Sequence, residues 1–176
     1  MTEPRTEKSE LDDVTLALAE QLFDFARLGD AESLSTSMKK GVSANIRDDN
    51  GNSLLMLASY NGHIEASKLL LEFGADPTLT NNSQQTPLTG AAFKGFSDIV
   101  KLLISHGADV NAVTPDGKTP LMFAAMFNHK DVVDLLLDSG ANAYAKSADD
   151  LTALALARAM GAEAAARRLA QHVELF

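Results

Sequence analysis

The sequence predicts an all-α solenoid in which short helical hairpins stack side by side and project β-turn loops from one edge. Three observations carry that expectation. Ser53, Thr86, Thr119 and Thr152 stand 33 residues apart, each followed two positions later by Leu55, Leu88, Leu121 or Leu154. Ala58, Ala91, Ala124 and Ala157 repeat at the same step, and so do Gly41, Gly74, Gly107 and Gly140. A fixed period of this size marks units that cannot bury an apolar face alone and do so by stacking on copies of themselves.

The elements follow in order. The first eight residues are expected to be a disordered tail at the head of an acidic N-terminus, and a single domain is expected over 9–176. A first helix starts at a cap on Ser9 or Asp12 and is prolonged by 11–19. In each later unit the Ser or Thr hydroxyl caps a helix N-terminus, and Pro87 and Pro120 bring a preset φ to the first helical position. That helix ends near Gly62, Gly95, Asn128 or Gly161, where a left-handed residue lets the chain reverse. The second helix then buries Ile99, Leu102 and Leu103 in one unit and Val132, Leu135 and Leu136 in the next, at three-and-four spacing. Gly74, Gly107 and Gly140 stop it. Asn50-Gly51 and Asp116-Gly117 supply tight reversals in the loops.

Thr86-Pro87-Leu88, Thr119-Pro120-Leu121, Ala91-Ala92, Gly62-His63 and Gly107-Ala108-Asp109-Val110-Asn111 resemble the ankyrin-repeat consensus over about residues 20–172. The resemblance implies an ankyrin-repeat solenoid of about five units, 20–45, 46–78, 79–111, 112–145 and 146–172, like small stand-alone bacterial ankyrin proteins. The outer two are atypical caps, since one face of each meets water. Phe25 replaces a small alanine in the first unit, and Glu163, Arg167 and Arg168 interrupt an alanine-rich helix in the last. The consensus histidine after Thr-Pro-Leu gives way to Met56, Thr89, Met122 and Ala155, so a loop-to-loop hydrogen bond of the family is expected to be missing. Gly90 lies inside a helix where Leu57, Phe123 and Leu156 hold the matching positions. Either Phe123 of the next unit fills the space, the simpler reading, or a partner approaches the backbone there.

Reactive chemistry has little to work with. The chain has 176 residues, no cysteine and four histidines, which removes thiolate nucleophiles and cysteine metal sites. His63 and His129 hold equivalent places two units apart, about 20 Å if helices pack at about 10 Å, so they cannot share a metal ion. Ser105, His106 and Asp109 crowd one helix end and cannot take up the sequential geometry of a catalytic triad. The acid pairs Asp12-Asp13, Asp48-Asp49 and Asp149-Asp150 lie in a tail or at loop tips, where water keeps both members ionised. No phosphate loop, zinc-helix or calcium-loop motif is present. The expectation is no enzyme, no cofactor and no metal.

Composition narrows the partners. A net charge of −9 disfavours nucleic acid, whose recognition needs clustered Lys and Arg. The longest apolar run, Leu121 to Phe127, is far short of the about 18 residues of a membrane span, and the acidic N-terminus does not resemble a secretory signal. A cytoplasmic monomer that binds one or more proteins is expected.

The resemblance implies that the first helices and loop tips line a concave groove. Tyr60, Phe93 and Met126 fall in one surface column of it, and Lys94, Phe127 and Met160 in the next. Lys94 apart, these side chains form a soft, apolar stripe at repeat spacing, which points to contact with another protein; the alternative is that they fold onto adjacent helices and close the groove internally, Phe127 and Met160 above all. Asp49, Asn50, Asn52, Asn82, Ser83, Gln85, Asp116 and Lys118 add a polar rim suited to a basic or amphipathic segment. The expected function is a non-catalytic interaction module acting as adaptor or regulator. Two alternatives stand beside it: a self-assembling structural protein that uses the stripe or a capping end, and an enzyme with an unrecognised site.

Overall fold

The computed structural model describes residues 7–174, with side chains from residue 17 onward. The 33-residue register becomes five helical hairpins: α1 (Glu7–Leu28) with α2 (Ala31–Lys39), α3 (Leu54–Tyr60) with α4 (Ile64–Glu72), α5 (Pro87–Lys94) with α6 (Ser97–Ser105), α7 (Pro120–Met126) with α8 (Lys130–Asp138), and α9 (Ala153–Ala159) with α10 (Glu163–Glu174). The first helices of successive hairpins pack on one another in order, and the second helices form a parallel outer row. The only strand-like pairing among the described residues is an isolated bridge between Arg47 and Ser53. Most of the tail expected to be disordered lies outside the described residues, but Glu7 and Lys8 belong to α1, which starts before either expected cap.

The caps behave as their chemistry requires. Ser53, Thr86, Thr119 and Thr152 have extended backbones, and each side-chain oxygen accepts from the amide three residues on, at 3.1–3.4 Å. Each satisfies an otherwise orphaned donor and stabilises its helix by about 1 kcal/mol. Pro87 and Pro120 occupy the first turn. The reversals fall at Gly62, Gly95, Asn128 and Gly161, all with positive φ.

One apolar core runs the length of the stack. Its columns are the fully buried Leu55, Leu88 and Leu121, the alanines Ala58, Ala91, Ala124 and Ala157, and on the outer row Leu70, Leu103, Leu136 and Leu169. The alanines let adjacent helices approach closely, while the leucines fill the space between the two rows. The outer helices bury a wider face than three-and-four spacing alone suggests. Val100 and Val133 are fully buried beside Ile99 and Val132, whereas Leu102 and Leu135 are only partly covered.

Polar links between neighbouring units alternate up to the last joint, which is fastened at both ends. Units one and two, and again three and four, are joined at the far ends of the first helices. There His63 Nε2 donates to the Arg27 carbonyl (2.8 Å) and His129 Nε2 to the Phe93 carbonyl (3.0 Å). The same joints carry an asparagine clasp. Asn45 Nδ2 donates to Gly74 O (3.1 Å) while its Oδ1 accepts from the Asp76 amide (2.8 Å), and Asn111 does the same with Gly140 O (3.2 Å) and the Asn142 amide (2.8 Å). Units two and three, and four and five, are instead joined at the loop tips. The amide of Asn82 donates to Asn50 O and that of Ala148 to Asp116 O, both at 2.9 Å. Pro115, in register with Asn82 and Ala148, has no amide hydrogen to make such a bond between units three and four.

The last unit is fastened by charge as well. Arg168 of α10 and Lys130 of α8 both donate to the Asp134 carboxylate, the latter at 2.7 Å. Asn128 Oδ1 accepts from the Ala165 amide at 3.0 Å. Arg168, expected as cap surface, therefore turns partly inward.

Candidate partner-binding groove

The first helices and the loop tips form one continuous face. Along it Tyr60 and Phe93 lie nearly parallel, with ring centroids 6.4 Å apart and planes 9° from coplanar. Phe93 then meets Phe127 edge-on at 4.6 Å and Phe123 edge-on at 6.4 Å. The sequence-derived stripe is thus a ladder of rings in mutual contact. Tyr60, Phe127 and Met160 stay 44%, 42% and 55% exposed, while Phe93 and Met126 are half-buried and belong partly to the packing. The Lys94 ammonium lies 4.9 Å from the Tyr60 ring centroid, within reach of a cation–π attraction.

Gly90 opens a cavity of about 400 Å3 beside this ladder, walled by Met56, Tyr60, Phe93 and Phe123 and rimmed by Asn81 and Gln85. The expectation that Phe123 fills the space left by Gly90 is corrected. The neighbour nearest to a side chain at that position is Tyr60 of the preceding unit, whose Cδ2 would lie 3.2 Å from an added Cβ. Phe123 is tied to Phe93 instead and forms one wall, so the space stays open.

The tip residues divide into braces and free groups. Asn52 donates to Asp48 Oδ2 (3.1 Å) and accepts from Asn81 Nδ2 (3.0 Å), so it holds the loops together. Asn82 Nδ2 donates to the Asp49 carbonyl at 3.0 Å, and Gln85 Oε1 accepts from Asn81 at 3.2 Å. Asp116 pairs with Lys118 of its own loop, and those donors together with the Thr114 hydroxyl hold its carboxyl below the ordinary carboxylate range. Among the described residues, the side chains of Asp49, Asn50 and Ser83 are exposed with no such engagement.

Other shifted carboxyls have local causes. Hydrogen bonds from Ser33 lower Asp30, the cap of α2, and hydrogen bonds from Thr78 lower Asp76. Burial pushes Asp134 up, but the hydrogen bonds from Lys130 and Arg168 outweigh it and leave the carboxyl below its usual value. The same contact raises Lys130. None of these groups lies at the Gly90 cavity. No three His, Asp or Glu side chains gather as a metal-binding set among the described residues, and no described helix is long and apolar enough to cross a membrane. The His106 imidazole Nδ1 approaches Ser105 Oγ (3.2 Å) and the Leu102 carbonyl (2.9 Å), an arrangement confined to one exposed helix end.

Comparison with known proteins bears on the whole stack. The family model for three copies of ankyrin repeats matches residues 22–114, and that for many copies matches 98–137 and 121–170. The chain belongs to the ankyrin-repeat family. A Pseudomonas aeruginosa protein described as an ankyrin repeat protein is 49% identical over 62 residues, which is 35% of this chain and 36% of that one. Ankyrin repeat domain-containing protein 63 of Mus musculus is 36% identical over 50 residues, 28% of this chain and 13% of its own length. Its Homo sapiens counterpart is 34% identical over 50 residues, again 28% of this chain and 13% of its own. The matched stretches thus span about a third or less of these relatives. Ankyrin repeats are in general protein–protein interaction modules and typically not catalytic.

The cross-unit roles of His63, His129, Asn45 and Asn111 were not found by sequence reasoning. A signal for them existed: His63 and His129 are separated by two periods, as are Asn45 and Asn111.

Proposed function

We propose that this ankyrin-repeat chain is a non-catalytic cytoplasmic adaptor or regulator that binds a partner protein through its concave groove and loop tips. The observation that carries the reading is the ladder Tyr60–Phe93–Phe127, prolonged by the exposed Met160, which puts apolar surface on one face of four consecutive units. Soluble proteins rarely leave a connected apolar strip of this kind uncovered unless it meets another molecule. The free polar tips at Asp49, Asn50 and Ser83 sit beside it, where they can orient a basic or amphipathic segment.

The test is a variant with Tyr60→Ser, Phe127→Ser and Met160→Ser together, chosen because all three side chains are exposed. Affinity capture with the full chain followed by mass spectrometry should recover proteins that the variant loses, while the variant still unfolds in one cooperative transition a few degrees lower at most, the loss of its ring contacts. Equal recovery by both proteins overturns the reading. A sedimentation coefficient that rises with concentration for the wild type and not for the variant would assign the strip to a second copy of the chain instead.

A further inference from the structure

Gly90 is where the repeat leaves a side chain out. The matching positions carry Leu57, Phe123 and Leu156, so units two, four and five place a bulky apolar group at this point of the first helix, while the first unit, a cap, has Asp24. In α5 the position is empty, and the about 400 Å3 cavity opens onto the groove there. That volume falls in the lower part of the about 300–1,000 Å3 span of ligand clefts.

The walls specify what can enter. Three rings face the space: Tyr60 and Phe93 with nearly parallel planes, and Phe123 edge-on to Phe93. No wall residue is Asp, Glu, Lys, Arg or His, so a charge brought in would lose its hydration without gaining a counter-ion. An uncharged ring loses nothing of that sort and gains edge-to-face contacts on several sides. The rim supplies the Gln85 side-chain amide, whose Oε1 is held by Asn81 and whose Nε2 can donate to a polypeptide backbone passing over the mouth. Three residues before Asn52 in the same loop, the exposed Asp49 carboxylate has no ion-pair partner among the described residues, in a chain of net charge −9. On the other side the groove continues without a break into Phe127 through Phe93.

We infer that the Gly90 cavity is the anchor site of the groove: it takes one uncharged aromatic side chain from a polypeptide segment of the partner, with a basic residue of that segment directed at Asp49. The partner supplies to unit three the apolar knob that units two, four and five make for themselves. This rests on the groove reading above and adds the chemistry of the segment that binds there.

The experiment uses the full chain and a displayed library of random linear peptides, with selected peptides resynthesised carrying tryptophan at the aromatic position. The chain contains no tryptophan, so emission excited near the red edge reports the peptide alone. Three proteins are compared: wild type, Gly90→Leu, and the triple serine variant. Gly90→Leu restores the side chain found at two matching positions, and the nearest obstacle is the part-exposed Tyr60 ring, which can swing toward solvent. It should melt no lower than wild type.

Selected peptides should share one aromatic position with Lys or Arg nearby. The tryptophan emission should shift to the blue on wild type. Gly90→Leu should weaken binding about 30-fold or more, the loss expected of a central anchor, and replacing the peptide's aromatic residue by alanine should do the same without touching the protein. Undiminished binding to Gly90→Leu, with loss on the triple variant, overturns the anchor and leaves the groove reading standing. Undiminished binding to both overturns both. A library that returns no groove-dependent peptide overturns the anchor, and so does a peptide that binds as well with alanine in place of its aromatic residue.

Discussion

Alanine at Gly95 and alanine at Gly107 form a matched pair within one repeat. Both glycines end a helix region with positive φ, +80° and +89°. An alanine there costs about 1–2 kcal/mol, because Cβ crowds the carbonyl in the left-handed region. Around Gly107 an added Cβ meets nothing within 4 Å, so the backbone term should stand alone. At Gly95 the same atom would lie 2.5 Å from His129 Nδ1, and the ring must move. Moving it breaks the Nε2 bond to the Phe93 carbonyl and loosens units three and four, for about 0.5–1.5 kcal/mol more. At about 2–4 °C per kcal/mol for a chain of this size, Gly107→Ala should lower Tm by about 2–8 °C and Gly95→Ala by about 1–6 °C beyond that. Calorimetry of the two variants, with His129→Ala in both backgrounds, provides the measurement. In the His129→Ala background the extra cost at Gly95 should disappear. Equal losses at the two glycines, or no rescue, would refute the claim that His129 is a cross-unit fastening seated on Gly95.

Two further outcomes follow from the links between units. Thr78 is in register with Asn45 and Asn111 but makes no clasp to the next unit, bonding only to Asp76. Thr78→Asn should bridge to Gly107 and Asp109 and stabilise by about 0.5–1 kcal/mol, read as a higher urea midpoint, and an unchanged or lower midpoint counts against the alternation. The Asp134 carboxyl has a lowered pKa when folded, so its contribution is present above the unfolded value of about 3.9 and is lost as pH falls through the folded one. Asp134→Asn should therefore lower the urea midpoint at pH 7, by about 0.5–1 kcal/mol for a partly exposed pair, and the difference should shrink as the pH is taken down to about 3. A difference that is independent of pH would mean the carboxylate charge does not fasten the last unit.

The fold was legible because each unit repeats the same physical requirements at one spacing. A hydroxyl at position 53, 86, 119 or 152, an alanine five residues on, and a left-handed residue at 62, 95, 128 or 161 can be recognised without knowing what they touch. What the period cannot say is which neighbour reaches across. Gly90 illustrates this: the column showed a missing side chain, but whether Tyr60 from before or Phe123 from after lies against it depends on how side chains lean, and it is Tyr60, with a cavity left open beside it. Likewise the stripe was visible as a column, whereas the partial burial of Phe93 and Met126 results from ring-to-ring contacts that a one-dimensional register does not contain. Asn52 and Lys118 looked like free rim groups, and only the folded loops show them occupied by Asp48, Asn81 and Asp116.

The alternation of links has a mechanical consequence. Successive joints of the stack are fastened at opposite ends of the first helices, by His63 and His129 at one end and by the tip amides of Asn82 and Ala148 at the other. Along the first four units each joint is thus pinned at one end like the folds of a concertina, while the last is held at both, since Asn128 also accepts from the Ala165 amide. The pleat between units two and three is pinned at the tips, with Phe96 rather than a histidine against Gly62 at its far end. Its polar fastening therefore lies on the same side as the rim of the Gly90 cavity, at Asn52, Asn81 and Gln85, and its far end is closed by apolar packing alone.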